Sequence, residues 1–442
     1  WTGRQGEAAF YRLDRRQQRL ELVFADSRTG RTRVAATQTD PAWVDVTDDL
    51  NFIDDGERFI WTSEESGYRH IYLLSNDGEQ KQPLTTGEWE VYEILDVDED
   101  RQVVYFTGNK DNVIEQHVYR VGFDGTGLQR LSQPGGWTTF DFAYDFAHYI
   151  QQRSDRDTPA QWSLHDISGE QLRVLGADPP SDVTTLNLPE WEFFTLTTTD
   201  GTDLNAVILK PDNFNPRSKY PTVIYAYGGP GSQYVTDRWV GSRGRGLWHQ
   251  YLAQEGYVVL TVDNRGTGGR GKAFKNLAYG DIGKWAVHDQ IEASKWVARQ
   301  GWANPDRIAI WGWSGGGYLT SLCLTAGTEY FKCGIAVAPV TDFRLYDTAW
   351  TERYMGLLPD NQAGYQSADV LSYVDSYQGN LLLVHGTGDD NVHPQHSWQF
   401  IQELTTRNMP FDLMMYPGKD HGLPGVQYHL YDKMTTFLRE NL

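Results

Sequence analysis

Cysteine is nearly absent: Cys323 and Cys333 are the only two in 442 residues, too few for a disulfide framework or to indicate a redox compartment. Neither sits in a glycine-flanked turn, so both read as buried packing residues and not as nucleophiles. Long apolar runs are missing as well. No stretch of 18 or more apolar residues occurs, so no segment reads as a membrane span. Positive charge is scarce, with 39 Lys and Arg against 59 Asp and Glu for a formal net charge of −20. Nucleic acid as a partner is thereby excluded, because phosphate binding needs a basic surface. An acidic field instead draws cationic ligands, a free amino terminus among them. The first residues, from Trp1, do not read as a targeting segment.

What the sequence has in plenty is aromatic: 16 Trp, 25 Tyr and 18 Phe. With 39% apolar residues it describes a globular protein, and its length implies two domains. Up to residue 181 the chain repeats itself. Strand-like segments ending in polar glycine turns recur as LELVFADSRTG, RHIYLLSNDG, QHVYRVGFDG and QWSLHDISG, with glycines at 30, 78, 125 and 169. A spacing of roughly 44 to 48 residues is that of one four-stranded propeller blade per repeat. Asp77-Gly78 and Asp124-Gly125 suit two-residue hairpin turns with positive backbone angles. About four blades are expected, and because the chain opens in strand-like sequence, further blades are expected upstream of residue 1.

The stretch Gly176–Leu188, polar and carrying paired prolines, reads as a linker, dividing blades over 1–181 from a second domain over 182–442. Beyond it, strands alternate with helices, the pattern of a mainly parallel sheet. The organising stretch is Arg307–Thr320, RIAIWGWSGGGYLT. A short apolar strand over 308–311 runs into Gly312-Trp313-Ser314-Gly315-Gly316 and then into a helix from about Gly317. Small residues two positions either side of a serine, between strand and helix, permit the tight turn of an α/β-hydrolase nucleophile elbow. A helix-capping serine is the plainer alternative.

A serine hydroxyl needs a base oriented by a carboxylate, and in this fold they follow in the order Ser, acid, His. Asp389 and Asp390 follow the apolar strand LLLVHG, and His421 lies in the loop YPGKDHGLP before the last helix. One oxyanion donor is the Gly315 N–H. The other comes from Tyr227-Gly228-Gly229-Pro230-Gly231, as a backbone N–H or the Tyr227 hydroxyl. His385 sits within a strand end, and His393 and His396 lack the acidic or Cys partners of a metal site. Gly266–Gly271 fits the G-x-G-x-x-G pattern, yet no apolar helix or strand-terminal acid follows as a dinucleotide site requires.

Residues 40–442 resemble the later propeller blades and the hydrolase domain of the dipeptidyl peptidase IV family, within the prolyl oligopeptidase group of serine peptidases. The resemblance rests on SEESGYRHIY, DNRGTGGRG, IAIWGWSGGGY, FKCGIAVAPVTD, WTERYMG, HGTGDDNVH and KDHG. It implies Ser314 as nucleophile, Asp389 instead of Asp390 as the orienting acid, His421 as base and Tyr227 as side-chain oxyanion donor. It implies an apolar pocket for Pro or Ala formed by Val340, Phe343, Tyr346, Trp350, Tyr354 and Val392, with Asn391 and Arg353 on a substrate carbonyl. Gly315 and Trp350 depart from the aromatic residue and the tyrosine common at these places in the family, so pocket size is open. Cys333 matches a family cysteine but has no partner in the C-terminal tail and is expected free. Glu64-Glu65 is not assigned as the pair that binds the substrate's amino end; that pair is expected outside these residues. The implied activity is release of N-terminal dipeptides without metal or organic cofactor, in a homodimer located in the periplasm or secreted. Tripeptidyl, acylaminoacyl or oligopeptidase activity of the same group is the alternative, and a non-catalytic propeller binding protein is the alternative of another class.

Overall fold

The computed structural model of the protein describes residues 1–178, 186, 188–240 and 244–442. Two compact units emerge: Trp1–Thr185 with Thr236–Trp239 and Gly269–Phe274, and Leu186–Val235 with Val240–Gly268 and Lys275–Leu442. The expected boundary at 181 lies outside the described residues. The first residues of the expected linker belong to a strand instead. Strand Gln171–Asp178 runs through Gly176, with Gly176 and Ala177 paired to Trp162 and Gln161.

The first unit is built of successive antiparallel sheets. A three-stranded one covers Glu7–Leu13, Arg19–Asp26 and Thr32–Thr39. Three four-stranded sheets follow over residues 51–83, 91–130 and 137–178. Each repeated segment forms the penultimate strand of its sheet. His70–Ser75 is buried along nearly its whole length, which is why it reads as a continuous apolar run instead of an alternating one. Apolar clusters lie between consecutive sheets. Leu22 and Phe24 meet Phe59 and Trp61; Ile60, Ile71 and Leu73 meet Val104, Phe106 and Tyr119; Val118 meets Phe140 and Tyr149. Sheets packed face to face in chain order are β-propeller blades.

The turns differ from expectation. Gly78 and Gly125 have φ of 76° and 77°, but Asp77 and Asp124 are not in the positive-φ region. Each aspartate instead accepts a hydrogen bond from the backbone two residues on, Glu79 N at 3.0 Å and Thr126 N at 2.9 Å. Such Asx contacts hold a wider turn, so only the glycine needs the left-handed angle.

The second unit carries one eight-stranded sheet. Its spatial order is 191–197, 203–209, 258–262, 220–225, 303–313, 333–337, 380–386 and 412–416. The first two pairings are antiparallel and the remaining five parallel. Val258–Val262 and Cys333–Val337 are buried at every position, as parallel strands covered on both faces must be. The chain order reverses around strand 220–225, whose neighbours are 258–262 and 303–313. Ligand sites in such sheets gather at the carboxyl ends of strands beside this reversal, and Tyr227 and Ser314 follow two of them. With these layers the chain is β-propeller blades followed by an α/β-hydrolase domain.

Candidate active site

Strand Ala303–Trp313 ends directly at Ser314, and helix Gly315–Ala326 begins with the next residue, two residues earlier than its glycines suggest. Ser314 has φ 59° and ψ −119°, a backbone conformation that costs a non-glycine residue on the order of 1–3 kcal/mol. It occupies the helix-cap position, yet its side chain makes no capping hydrogen bond. Its N–H is bonded to the Val337 carbonyl at 2.8 Å and its carbonyl to Tyr318 N at 2.9 Å, so the backbone is held while the hydroxyl is left for other uses. The flanking glycines make room. A Cβ on Gly312 would stand 2.4 Å, and one on Gly316 2.2 Å, from the Ala226 carbonyl oxygen.

Asp389 follows strand Asn380–Gly386 and is buried, whereas Asp390 beside it is exposed. Its Oδ1 accepts from Asn391 N and Val392 N at 3.0 and 2.9 Å. Its Oδ2 lies 2.7 Å from His421 Nδ1 and 3.2 Å from His385 Nε2. A carboxylate accepts, so Nδ1 of His421 carries its proton and Nε2 is left with the lone pair. Burial acts to raise the Asp389 pKa, but the hydrogen bonds from His385, His421 and Val392 outweigh it and hold the carboxyl well below the usual range.

The loop that carries His421 is fixed by Trp313, whose indole N–H donates to the His421 carbonyl at 3.0 Å. Sequence reasoning missed this contact. It also set His385 aside, although His385 sits fully buried against Asp389. Its Nε2 is 2.8 Å from the Val392 carbonyl, which fixes the proton there, and its Nδ1 meets the Ser397 hydroxyl at 2.7 Å. A histidine four residues before the acid, at the end of the same strand, is the one signal that pointed to it.

A cavity of about 290 Å³ reaches Ser314 and Gly315 and is lined among others by Tyr227, Val340, Phe343, Tyr346 and Trp350. Trp350 stacks on Phe343 at 5.7 Å and meets Tyr346 edge-on at 5.3 Å. A second cavity, of about 400 Å³, also reaches Ser314 and is lined by Tyr227, Tyr234, Arg245, Trp313, Asn391 and His421, among others. Burial, with Tyr234 and Tyr346 nearby, pushes the Tyr227 hydroxyl up to about 12, so it stays protonated and can donate. Its ring Cζ lies 3.8 Å from where a Cβ on Gly315 would stand, bringing both oxyanion candidates together. Tyr354, Arg353 and Val392 line neither cavity. Tyr354 is buried against Trp350 at 4.8 Å, and Arg353 lies beside the Tyr354 ring. Val392 is fully buried, because its backbone is tied to both Asp389 and His385. Asn391 receives the Tyr346 hydroxyl at 2.9 Å.

The remaining candidates have structural explanations. Gly268 stands where a Cβ would meet the Gly231 carbonyl at 2.3 Å, so this glycine of the G-x-G-x-x-G run serves loop packing. His396 is buried and accepts from Thr341 N at 3.1 Å. Among the described residues no group of three or more His, Cys, Asp or Glu is placed to hold a metal ion. Both cysteines are free and buried, and burial pushes the Cys333 thiol up to about 12. Glu65 pairs with Lys81. No helix among the described residues is long and apolar enough to cross a membrane.

Residues 246–442 match the prolyl oligopeptidase family, and residues 1–160 match the dipeptidyl peptidase IV N-terminal region. A probable dipeptidyl peptidase 4 from Emericella nidulans is 34% identical over 90% of this chain and 53% of its own length. Dipeptidyl peptidase 4 of Trichophyton equinum is 34% identical over 96% of this chain and 56% of its own. The chain therefore spans about half the length of these relatives. The crystal structure of Porphyromonas gingivalis dipeptidyl peptidase 4 superposes with a TM-score of 0.94 at 35% identity, covering 99% of this chain and 62% of that one. Two family models that divide the chain in this order, relatives along nearly all of it, and a shared fold place the protein in the dipeptidyl peptidase IV family of prolyl oligopeptidases.

Proposed function

We propose that the protein is a serine exopeptidase that releases N-terminal dipeptides, Xaa-Pro or Xaa-Ala, from peptides through an acyl-enzyme. The observation that carries the reading is the 2.7 Å contact of Asp389 with His421 Nδ1, which leaves Nε2 free in a cavity shared with Ser314. Ser314 Oγ attacks the scissile carbonyl carbon while His421 Nε2 takes the hydroxyl proton. The same nitrogen returns it to the leaving amine, and Asp389 orients the ring and stabilises its charged form. The Gly315 N–H and the Tyr227 hydroxyl bind the oxyanion. Val340, Phe343, Tyr346 and Trp350 receive the second residue's side chain, with Tyr354 and Val392 supporting them, and Asn391 and Arg353 bind the preceding carbonyl. The catalytic domain runs over 182–442 after blades over 1–181. The reading includes a homodimer, a periplasmic or secreted location, peptide substrates with a free amino terminus, and no cofactor.

The test is turnover of Gly-Pro-, Ala-Ala-Pro-, acetyl-Ala- and blocked Gly-Pro-nitroanilide by the full-length protein, with Ser314→Ala as control. Turnover of free Gly-Pro-nitroanilide alone is expected. Turnover of the longer, acylated or blocked substrates would replace the dipeptidyl assignment with another activity of the same group.

A further inference from the structure

Four glycines surround Ser314, and one of them is unlike the others. A Cβ on Gly312, Gly316 or Gly317 would collide with backbone carbonyl oxygens at 2.4, 2.2 and 2.7 Å. At Gly315 the nearest atoms would be those of Tyr227, at 3.8 to 3.9 Å, and φ lies outside the left-handed region. Neither room nor backbone angle therefore requires glycine at 315. What its missing side chain does leave is space, because Gly315 lines the apolar cavity beside the nucleophile.

That cavity is larger than a pyrrolidine ring needs. Its volume of about 290 Å³ compares with the roughly 150 Å³ of an apolar cavity that holds benzene. Besides the aromatic residues, Ile282, Ala286 and Leu319 line it, small or aliphatic side chains that give it further apolar surface. An apolar ligand group gains about 25 cal/mol for each Å² it removes from water, so apolar volume left unfilled by a pyrrolidine ring favours a longer side chain.

Resting on the peptidase reading above, we infer that Gly315 sets substrate size, opening the cavity so that dipeptides with a large apolar second residue, Leu or Phe, are released as well. The chemistry is unchanged; only the side chain in the cavity differs.

The experiment is kcat/KM of the full-length protein for Gly-Pro-, Gly-Ala-, Gly-Leu- and Gly-Phe-nitroanilide, in the wild type, G315A and G315Y. In the wild type, Gly-Leu- and Gly-Phe-nitroanilide are expected within about tenfold of Gly-Pro-nitroanilide. A pocket misfit of this size is worth roughly 10- to 200-fold, so G315Y is expected to lower Leu and Phe turnover at least about tenfold more than Pro turnover. G315A, whose methyl meets nothing closer than 3.8 Å, is expected to move the same ratios in the same direction by less, and it serves should G315Y not fold. A wild type that turns over Gly-Pro-nitroanilide but Leu and Phe more than about a hundredfold less well overturns the inference and leaves the peptidase reading standing. So do ratios that neither variant moves. A wild type that cleaves none of the four overturns both.

Discussion

In the blades, Gly30 and Gly169 are needed for their backbone angle, with φ of 70° and 94° and no atom closer than 3.9 Å to where a Cβ would stand. At the elbow, Gly312, Gly316 and Gly317 lie outside the positive-φ region and are needed for room, since a Cβ on each would stand within 2.7 Å of a carbonyl oxygen. The contrast follows from how each unit folds. A blade is made of hairpins, and where a turn stands clear of other backbone, as at Gly30 and Gly169, its glycine answers only to local geometry; where a turn meets the neighbouring sheet, as at Gly78, whose Cβ would stand 1.9 Å from the Ala35 carbonyl oxygen, room counts as well. The hydrolase sheet gathers strand ends from residues 225, 313 and 386 into one place, and loops that converge need backbone to pass close to backbone. At the elbow that crowding surrounds the nucleophile on both sides.

Substitutions can break or sharpen the contrast. The largest effect is expected at the crowded end. Ser314→Ala should lower kcat by about 10⁶ with the melting temperature nearly unchanged, because the hydroxyl makes no capping hydrogen bond and alanine keeps the same Cβ at the same backbone angle; activity assays and calorimetry decide it. Tyr227→Phe should cost roughly a hundredfold to a thousandfold in kcat with little change in KM. A KM effect alone would remove Tyr227 from the oxyanion role. Gly316→Ala should destabilise by about 3 kcal/mol, read by urea unfolding, since its methyl would sit against the Ala226 carbonyl. Gly30→Ala should cost only about 1 kcal/mol and leave kcat/KM untouched, because its penalty is angular and remote from the site.

The smallest effect is a pH slope. Burial pushes His396 down to about 4, below its unfolded value of about 6.5. The unfolded chain then binds the extra proton between those values, so stability is full above about 6.5 and falls as pH drops toward 4. His396→Gln should flatten that slope by up to about one proton, read from urea unfolding at several pH values.

The repeats and the elbow were legible in the sequence because both are local. Turn glycines at near-constant spacing and a G-x-S-x-G run carry their geometry within a few residues. Linear order also offered the pair Asp389 and Asp390 together with His421, since strand ends of one parallel sheet face the same way; the choice of Asp389 came from the family resemblance. The Trp313 bond to the His421 carbonyl and the seat of His385 were not legible. Each joins residues by packing that no spacing encodes, the first across 108 positions. The aspartates of the blade turns misled for the opposite reason: a dipeptide suited to a tight turn was overruled by its own side chain's hydrogen bond.

The most direct measurement is reaction of the full-length protein with a fluorophosphonate, followed by mass mapping of the adduct. A nucleophile activated by His421 and Asp389 predicts one adduct per chain, on Ser314, lost in His421→Ala. Absence of any adduct on Ser314, with the chain folded, would contradict the account and leave the elbow without its chemistry.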